Sequence, residues 1–179
     1  MVDELVLDVK EKRDVSEREY WEILDLCSRA YGLDYQPFLK TFYSATHILG
    51  RYRRELVTHA LWIPRWLQYP GLPLWRAAYV EAVATDERYR NRGFASIVMQ
   101  RLAREIKDYD IGGLCTGASI NLYLRLGWQL WQGPLFIRKS NGIMATPEER
   151  GVMVLVLPET PRIDLEMPLS AEWREGELW

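Results

Sequence analysis

Apolar and polar residues alternate from Leu5 to Val9, the pattern of a half-buried opening strand. The period then lengthens. Ser16 stands three residues before Glu19, the spacing of a reciprocal cap. Trp21, Leu24, Cys27 and Ser28 carry a helix toward Ala30, and Gly32 is placed to end it. Pro37 to Tyr43 predicts a second, short helix with proline at an early position. Thr46 to Tyr52 and Leu56 to Trp66 predict a β-hairpin around Arg53-Arg54-Glu55. Tyr69-Pro-Gly-Leu-Pro73 is turn chemistry, and Trp75 to Thr85 is another strand.

From Gly93 the pattern turns helical again. Phe94, Val98, Leu102 and Ile106 recur every four residues, Ile97 is read into the same stripe, and Arg101, Arg104, Glu105 and Lys107 are polar. Ile111 to Cys115 predicts a short strand and Ser119 to Leu126 a short helix. Gly127-Trp128 opens a further strand, and Gly151 to Leu157 is a last apolar strand stopped by Pro158. Strands first, then strand-helix-strand-helix-strand, spell a mixed α/β (α+β) sheet with flanking helices. No repeat or linker divides the 179 residues, so a single domain over 1–179 is expected, with 151–179 as its C-terminal strand and tail.

Composition narrows the function. At 48% hydrophobic and 27% charged residues the chain can fold around a core. Its 23 Lys+Arg against 25 Asp+Glu argue against a non-specific nucleic-acid binder, which needs a basic excess. The C-terminal third is locally acidic, at Glu148, Glu149, Glu172, Glu175 and Glu177. The start MVDELVLDVKEK has no signal-peptide pattern and no apolar run reaches spanning length, so a cytoplasmic protein without a membrane partner is expected. Cys27 and Cys115 are isolated and read as buried or half-buried thiols. No metal site is expected, since neither His47 nor His59 has a second ligand at useful spacing.

The informative segment runs from Tyr79 to Ala95. A strand enters a loop holding Arg90-x-x-Gly93-x-Ala95, and a helix follows at once. Free N–H groups at a helix entrance, with the macrodipole behind them, favour a pyrophosphate. Gly93 permits close backbone approach, Ala95 leaves the helix start uncrowded, and Arg90 and Arg92 add positive charge. The loop is neither a Walker A loop nor a dinucleotide fingerprint, for it lacks Gly-Lys-Ser/Thr and the glycine triplet.

Arg90, Gly93 and Ala95 match the strand-to-helix motif of the Gcn5-related N-acetyltransferase (GNAT) superfamily, which the chain resembles. Asn121-Leu-Tyr-Leu-Arg-Leu-Gly-Trp128 is similar to a second element of that family, in the same order. The resemblance implies the GNAT fold, a mostly antiparallel mixed sheet with splayed central strands, and acetyl-CoA as co-substrate. It also implies that the backbone of Val83, Ala84 and Thr85 meets pantetheine, and that Arg90, Asn91, Arg92, Gly93, Phe94 and Ala95 form the phosphate loop.

Acetyl transfer from a thioester to an attacking amine needs a base for the ammonium and an acid for the departing thiolate. Glu81, inside the apolar run Ala77 to Ala84, is the base candidate; the alternative is a strand glutamate reaching solvent or an arginine. Tyr123 is the acid candidate, with aromatic packing as the alternative.

The chain is further similar to aminoglycoside 2'-N-acetyltransferases. The segments that carry this are Tyr79 to Ala84, Leu122-Tyr123, Leu126-Gly-Trp128, Thr146-Pro-Glu-Glu149, Val156-Leu-Pro158 and the tail Ser170 to Trp179. That likeness implies an acidic groove for a cationic amino sugar formed by Asp34, Glu81, Ala82, Cys115, Glu148, Glu149, Glu177 and the carboxylate of Trp179. Terminal residues ordinarily fray, so Trp173 and Trp179 suggest that this tail is docked. Glu148, Glu149 and Glu177 are each a methylene longer than the family's aspartates, and Leu39 to Gly50 matches poorly. Another polyamine or peptide amine as substrate, or a non-catalytic acyl-CoA binder, are the competing readings, and a homodimer is allowed.

Overall fold

The computed structural model describes residues 4–147 and 149–179. The chain forms two compact units, 1–63 with 80–104 and 64–79 with 105–179. Two long strands, β3 (Glu55–Gln68) and β4 (Leu74–Thr85), pass from one unit into the other.

The first unit holds β1 (Val6–Glu11), α1 (Glu17–Tyr31), α2 (Gln36–Thr41), β2 (Thr46–Tyr52), the first part of β3, the last part of β4 and α3 (Phe94–Glu105). β1 pairs antiparallel with β2, and β2 with β3. The expected cap on α1 is present: Glu19 N donates to Ser16 Oγ at 3.3 Å, and Ser16 N donates to Glu19 Oε2 at 2.9 Å. Gly32, left-handed, ends the helix. Ile23, Leu24, Leu26 and Cys27 from α1 bury against Leu39, Leu49, Leu61, Ala82 and Ala84. Each large apolar side chain so buried stabilises by about 1.5–3 kcal/mol. The second helix starts one residue before the expected Pro37, where Asp34 accepts from Gln36 N at 3.0 Å, and it stops at Thr41 because Phe42, at ψ 72°, has left the helical region. The β2–β3 turn is tight, with Arg53 and Arg54 both at positive φ, and the strand resumes at Glu55.

α3 corrects one sequence expectation. Phe94, Val98, Met99 and Leu102 are its buried residues, while Ile97 is 39% exposed. At about 100° per residue the four buried positions share one arc and Ile97 falls outside it. Ile106 is buried just past the helix end.

The second unit adds β5 (Ile111–Cys115), α4 (Ile120–Arg125), β6 (Gln129–Leu130), β7 (Leu135–Lys139), β8 (Gly142–Ala145), β9 (Val152–Val156) and β10 (Leu169–Glu172). The strand order is β6-β9-β5-β4-β3-β10-β7-β8, mixed because β10 runs parallel to β7 and antiparallel to β3. Its core gathers Leu67, Trp75, Ala77, Ile111, Trp131, Ile137, Val154, Leu169 and Trp179. β9 is therefore not the last strand. β7, β8 and β10 were not expected from the sequence: β7 and β8 form a hairpin closed at Lys139 and Gly142, and β10 is defined by its pairing with β3 and β7. The strand expected at Gly127-Trp128 begins one residue later, because Trp128 N donates to Tyr123 O at 3.0 Å.

Candidate active site

The distinctive stretch of the first unit is Glu81 to Ala95. Glu81 is half-buried in β4. The next residue, Ala82, has φ +52° in the middle of a strand, which costs an L-residue roughly 1–2 kcal/mol. Side chains hold the backbone around it. His59 Nδ1 lies 2.9 Å from Ala82 O, Tyr31 Oη donates to Val83 O at 3.1 Å, and Thr58 Oγ1 donates to Ala84 O at 3.1 Å. With its one hydrogen spent there, the Thr58 hydroxyl accepts from Thr85 Oγ1 at 2.9 Å. The expected pantetheine-binding residues Val83, Ala84 and Thr85 thus form a braced strand end.

Asp86 anchors the loop that follows. Its carboxylate is buried and accepts from Arg88 Nε at 3.0 Å, Arg88 N at 3.0 Å and Arg29 Nη1 at 2.8 Å. Arg88, and then Arg29, hold this carboxyl well below the usual range. Arg90, Asn91, Arg92 and Gly93 are exposed; Asn91 has φ +62° and Gly93 φ +80°. Nothing lies within 4 Å of where a Cβ on Gly93 would stand, so the loop presents open backbone before α3. The Arg92 guanidinium lies over the Tyr89 ring at 5.2 Å, and Phe94 is buried beside Tyr52. Open glycine backbone flanked by Arg90 and Arg92 at a helix entrance fits a pyrophosphate.

Within the second unit, Tyr123 on α4 is buried and meets Trp128 edge-on at 6.2 Å. Burial pushes its phenol up to about 12. Cys115 Sγ lies 3.5 Å from Glu149 Oε1 and 3.4 Å from Arg150 O, which brings two of the expected substrate residues together. Trp179 is 4% exposed, and its indole N–H donates to Thr146 Oγ1 at 3.1 Å. Glu177 is exposed, its carbonyl accepting from Arg174 Nε. Glu148 lies outside the described residues. Trp173 departs from expectation. It is 54% exposed, so the tail docks through Trp179 and not through Trp173. In the first unit Asp34 is exposed and engaged at the start of α2, as described above. Among the described residues no group of three or more metal-ligating side chains is assembled, and no helix is long and apolar enough to cross a membrane.

The family model for an acetyltransferase (GNAT) domain matches residues 11–131. The chain belongs to the GNAT acetyltransferase family. An aminoglycoside 2'-N-acetyltransferase from Mycolicibacterium fortuitum is 35% identical over 129 residues, 69% of this chain and 66% of that protein, just short of two thirds of its length. Among solved structures, a GNAT family N-acetyltransferase from Escherichia coli in complex with CoA superposes with a TM-score of 0.67 at 16% identity, covering 98% of this chain and 92% of that one. A GNAT family acetyltransferase from Elizabethkingia anophelis with acetyl-CoA bound gives a TM-score of 0.55 at 15% identity, over 84% of this chain and 98% of that one. These two likenesses establish the GNAT fold.

Sequence reasoning missed several residues that shape these segments. Tyr31, Thr58 and His59 lie in ordinary helix and strand patterns, and nothing local marks them as donors to β4. Asp86 had a visible signal, a carboxylate at the strand end just ahead of an arginine-rich loop. Arg65 had none. It is 1% exposed, donates to Leu178 O and Glu172 O at 2.8 Å each, and stacks over Tyr79 at 4.7 Å.

Proposed function

We propose that the chain is an acetyl-CoA-dependent N-acetyltransferase whose acceptor is a cationic amine of aminoglycoside-like amino-sugar character. The observation that carries the cofactor half is the open, positive-φ Gly93 backbone between Arg90 and α3, next to a β4 end braced at three successive carbonyls. The phosphate loop 90–95 would hold the pyrophosphate and Val83 to Thr85 the pantetheine. When bound, acetyl-CoA supplies an activated acyl group. The Glu81 carboxylate takes the proton that the ammonium nitrogen must lose, and the Tyr123 Oη–H returns one to the sulfur that leaves. Tyr123, like any phenol, is protonated at neutral pH, and burial raises its proton affinity further.

The acceptor half draws on the 35% identity to an aminoglycoside 2'-N-acetyltransferase and on the acids. Glu149 beside Cys115, Glu177, Glu148, Glu81 and Asp34 offer carboxylates to a polycation. Residues 1–179 act as one catalytic domain in this reading, since β3 and β4 each run unbroken through both units.

A thiol-release assay with acetyl-CoA against aminoglycosides, polyamines and peptide amines tests the acceptor. Turnover confined to aminoglycosides supports the reading, and turnover only with polyamines or peptides overturns the acceptor half alone. For the cofactor half, acetyl-CoA should raise the thermal midpoint of the wild type. Gly93→Glu should abolish the rise, because it fills the open backbone with bulk and negative charge. Equal affinities of the two proteins in calorimetry would remove the phosphate-loop assignment.

A further inference from the structure

We propose that His59, backed by His47, is a positioning residue for acyl transfer. Its Nδ1–H holds the Ala82 carbonyl and so sets the backbone between Glu81 and Val83. The inference rests on β4 residues 81–85 being the thioester-binding strand, as proposed above.

The hydrogen bonds fix the tautomers. A carbonyl oxygen only accepts, so the 2.9 Å contact between His59 Nδ1 and Ala82 O puts a hydrogen on Nδ1. The neutral ring then has a bare Nε2, and that atom lies 3.0 Å from His47 Nδ1. His47 must therefore also carry its hydrogen on Nδ1. Both rings are buried, His59 completely, and burial holds both below the usual histidine range, with Lys12 adding to the effect on His47 and His47 to that on His59. The third neighbour of the His59 ring, Cys27 Sγ, lies 3.9 Å from Nδ1. Burial pushes that thiol up to about 12, so it brings no charge. The result is a neutral, directional relay of two donors ending on one carbonyl.

That carbonyl belongs to Ala82, the residue with a left-handed φ inside β4. Such a conformation persists only where its surroundings over-determine it. Two apolar side chains at positions 47 and 59 could fill the same core without desolvating any polar atom, but they would leave the Ala82 carbonyl without this donor. The peptide plane transmits the constraint. In a trans peptide the C=O of Ala82 and the N–H of Val83 point in opposite directions, so a carbonyl held toward His59 directs the Val83 N–H away from it. That plane runs from the Ala82 Cα to the Val83 Cα, so Val83 inherits its orientation directly and Glu81 inherits it through the left-handed φ of Ala82. Tyr31 on Val83 O and Thr58 on Ala84 O extend the bracing by two residues, each from a side chain of the same unit.

Three variants separate positioning from packing. In His59→Asn the side-chain amide nitrogen stands where Nδ1 was and can still donate to Ala82 O. In His59→Gln the amide stands where Nε2 was and cannot. His59→Leu has no donor. Misplacement on the ångström scale costs roughly 10²-fold in rate. The expected result is therefore a kcat for His59→Asn at least about tenfold above those of the Gln and Leu variants, with a smaller spread in the Kd for acetyl-CoA. A merely structural role ranks the variants by thermal midpoint, where Gln, nearer to histidine in volume, is no worse than Asn. Nitrogen-15 NMR of the wild type should show both imidazoles as neutral Nδ1–H tautomers from about pH 6 to 8. Equal kcat for the Asn and Gln variants, or an Nε2–H tautomer at His59, overturns the inference while leaving the proposed function standing. Wild-type protein that fails to bind acetyl-CoA overturns the proposed function, and the inference with it.

Discussion

The segment from Glu81 to Phe94 and the segment from Leu169 to Trp179 are held in opposite ways. In the first, successive backbone groups are each fixed by a close neighbour. Ala82 O, Val83 O and Ala84 O accept from His59, Tyr31 and Thr58, and the Asp86 carboxylate is surrounded by arginine donors. In the second, a few anchors hold a longer stretch. β10 pairs with β3 and β7, Arg65 ties the Glu172 and Leu178 carbonyls, and the Trp179 indole is buried on Thr146. Between those anchors Trp173, Glu175 and Glu177 are exposed. A backbone surface must be rigid to bind a ligand through its amides, since entropy lost on ordering would weaken every contact. A tail that meets a cation through carboxylates tolerates more freedom.

The largest expected effect lies outside both segments, at Tyr123 on α4. Tyr123→Phe removes only the hydroxyl, so kcat should fall by about 10²–10⁴-fold while acetyl-CoA affinity is nearly kept. A phenol pushed up to about 12 stays protonated far into the alkaline range. A general acid loses rate only as it deprotonates, so Tyr123 should contribute no alkaline fall in kcat below about pH 11. A fall centred near pH 10 that disappears in the Phe variant would mean that Tyr123 titrates like an exposed tyrosine.

Next in size is the tail's main anchor. Trp179→Ala should cost about 3–5 kcal/mol in urea unfolding, the range for a large buried aromatic, because it belongs to the buried cluster that holds Trp131, Leu135 and Val152. A cost below about 1 kcal/mol would mean that the tail is not docked in solution.

How much of this was legible follows from what each feature depends on. The α1 cap, the β2–β3 hairpin and the Arg90-x-x-Gly93-x-Ala95 loop were readable because each is a local rule: a side chain three residues from a backbone N–H, a tight turn, a glycine at positive φ between a strand and a helix. Of the short strands that were not read, β10 becomes a strand only by pairing with the distant β3 and β7, whereas β7 and β8 close a local hairpin at Lys139 and Gly142, whose Asn141-Gly142 turn was a legible signal. Ile97 was misread because a repeat of four cannot by itself define a helical face. The bracing of β4 by Tyr31, Thr58 and His59 depends on contacts 23 to 52 residues apart, which no local pattern reports. Trp173 and Trp179 are six positions apart and the same residue type, yet only Trp179 meets a core.

Lowering pH separates the bracing groups of the first unit by range, since all lose stability as pH falls. Asp86 has a folded-state proton affinity below its unfolded one, so its contribution is full above the unfolded carboxylate range and is lost as pH falls below about 4. His47 and His59 are also shifted down, but from near 6.5, so their contribution starts to be lost earlier, as pH falls below about 6.5. Stability measured by urea unfolding should therefore decline in two stages. Asp86→Asn should shrink the lower stage, to which Glu19 and Glu22 also contribute, and cost roughly 1–3 kcal/mol at neutral pH through lost charged hydrogen bonds. Replacing both histidines with leucine should flatten the upper stage. An unaltered upper stage in that double variant would show that the rings are not buried as neutral groups.

The smallest expected effect is at Trp173, where the contrast becomes most exact. A tryptophan is the residue whose loss usually does most harm, and a sequence comparison would rank Trp173 with Trp179. Trp173 is 54% exposed, and its backbone N–H, which donates to Arg138 O at 2.8 Å, survives any substitution except proline. Trp173→Ala therefore removes ring surface that water already covers in large part, and its stability should stay within about 0.5 kcal/mol of wild type. The same variant reports on function. If the exposed ring contacts the amine substrate, KM for the acceptor should rise while acetyl-CoA affinity and stability hold. If it serves neither, all three should match the wild type. A stability loss of about 3 kcal/mol or more would place Trp173 in a core as Trp179 is, and would erase the distinction between a tail anchored at one end and a tail packed along its length.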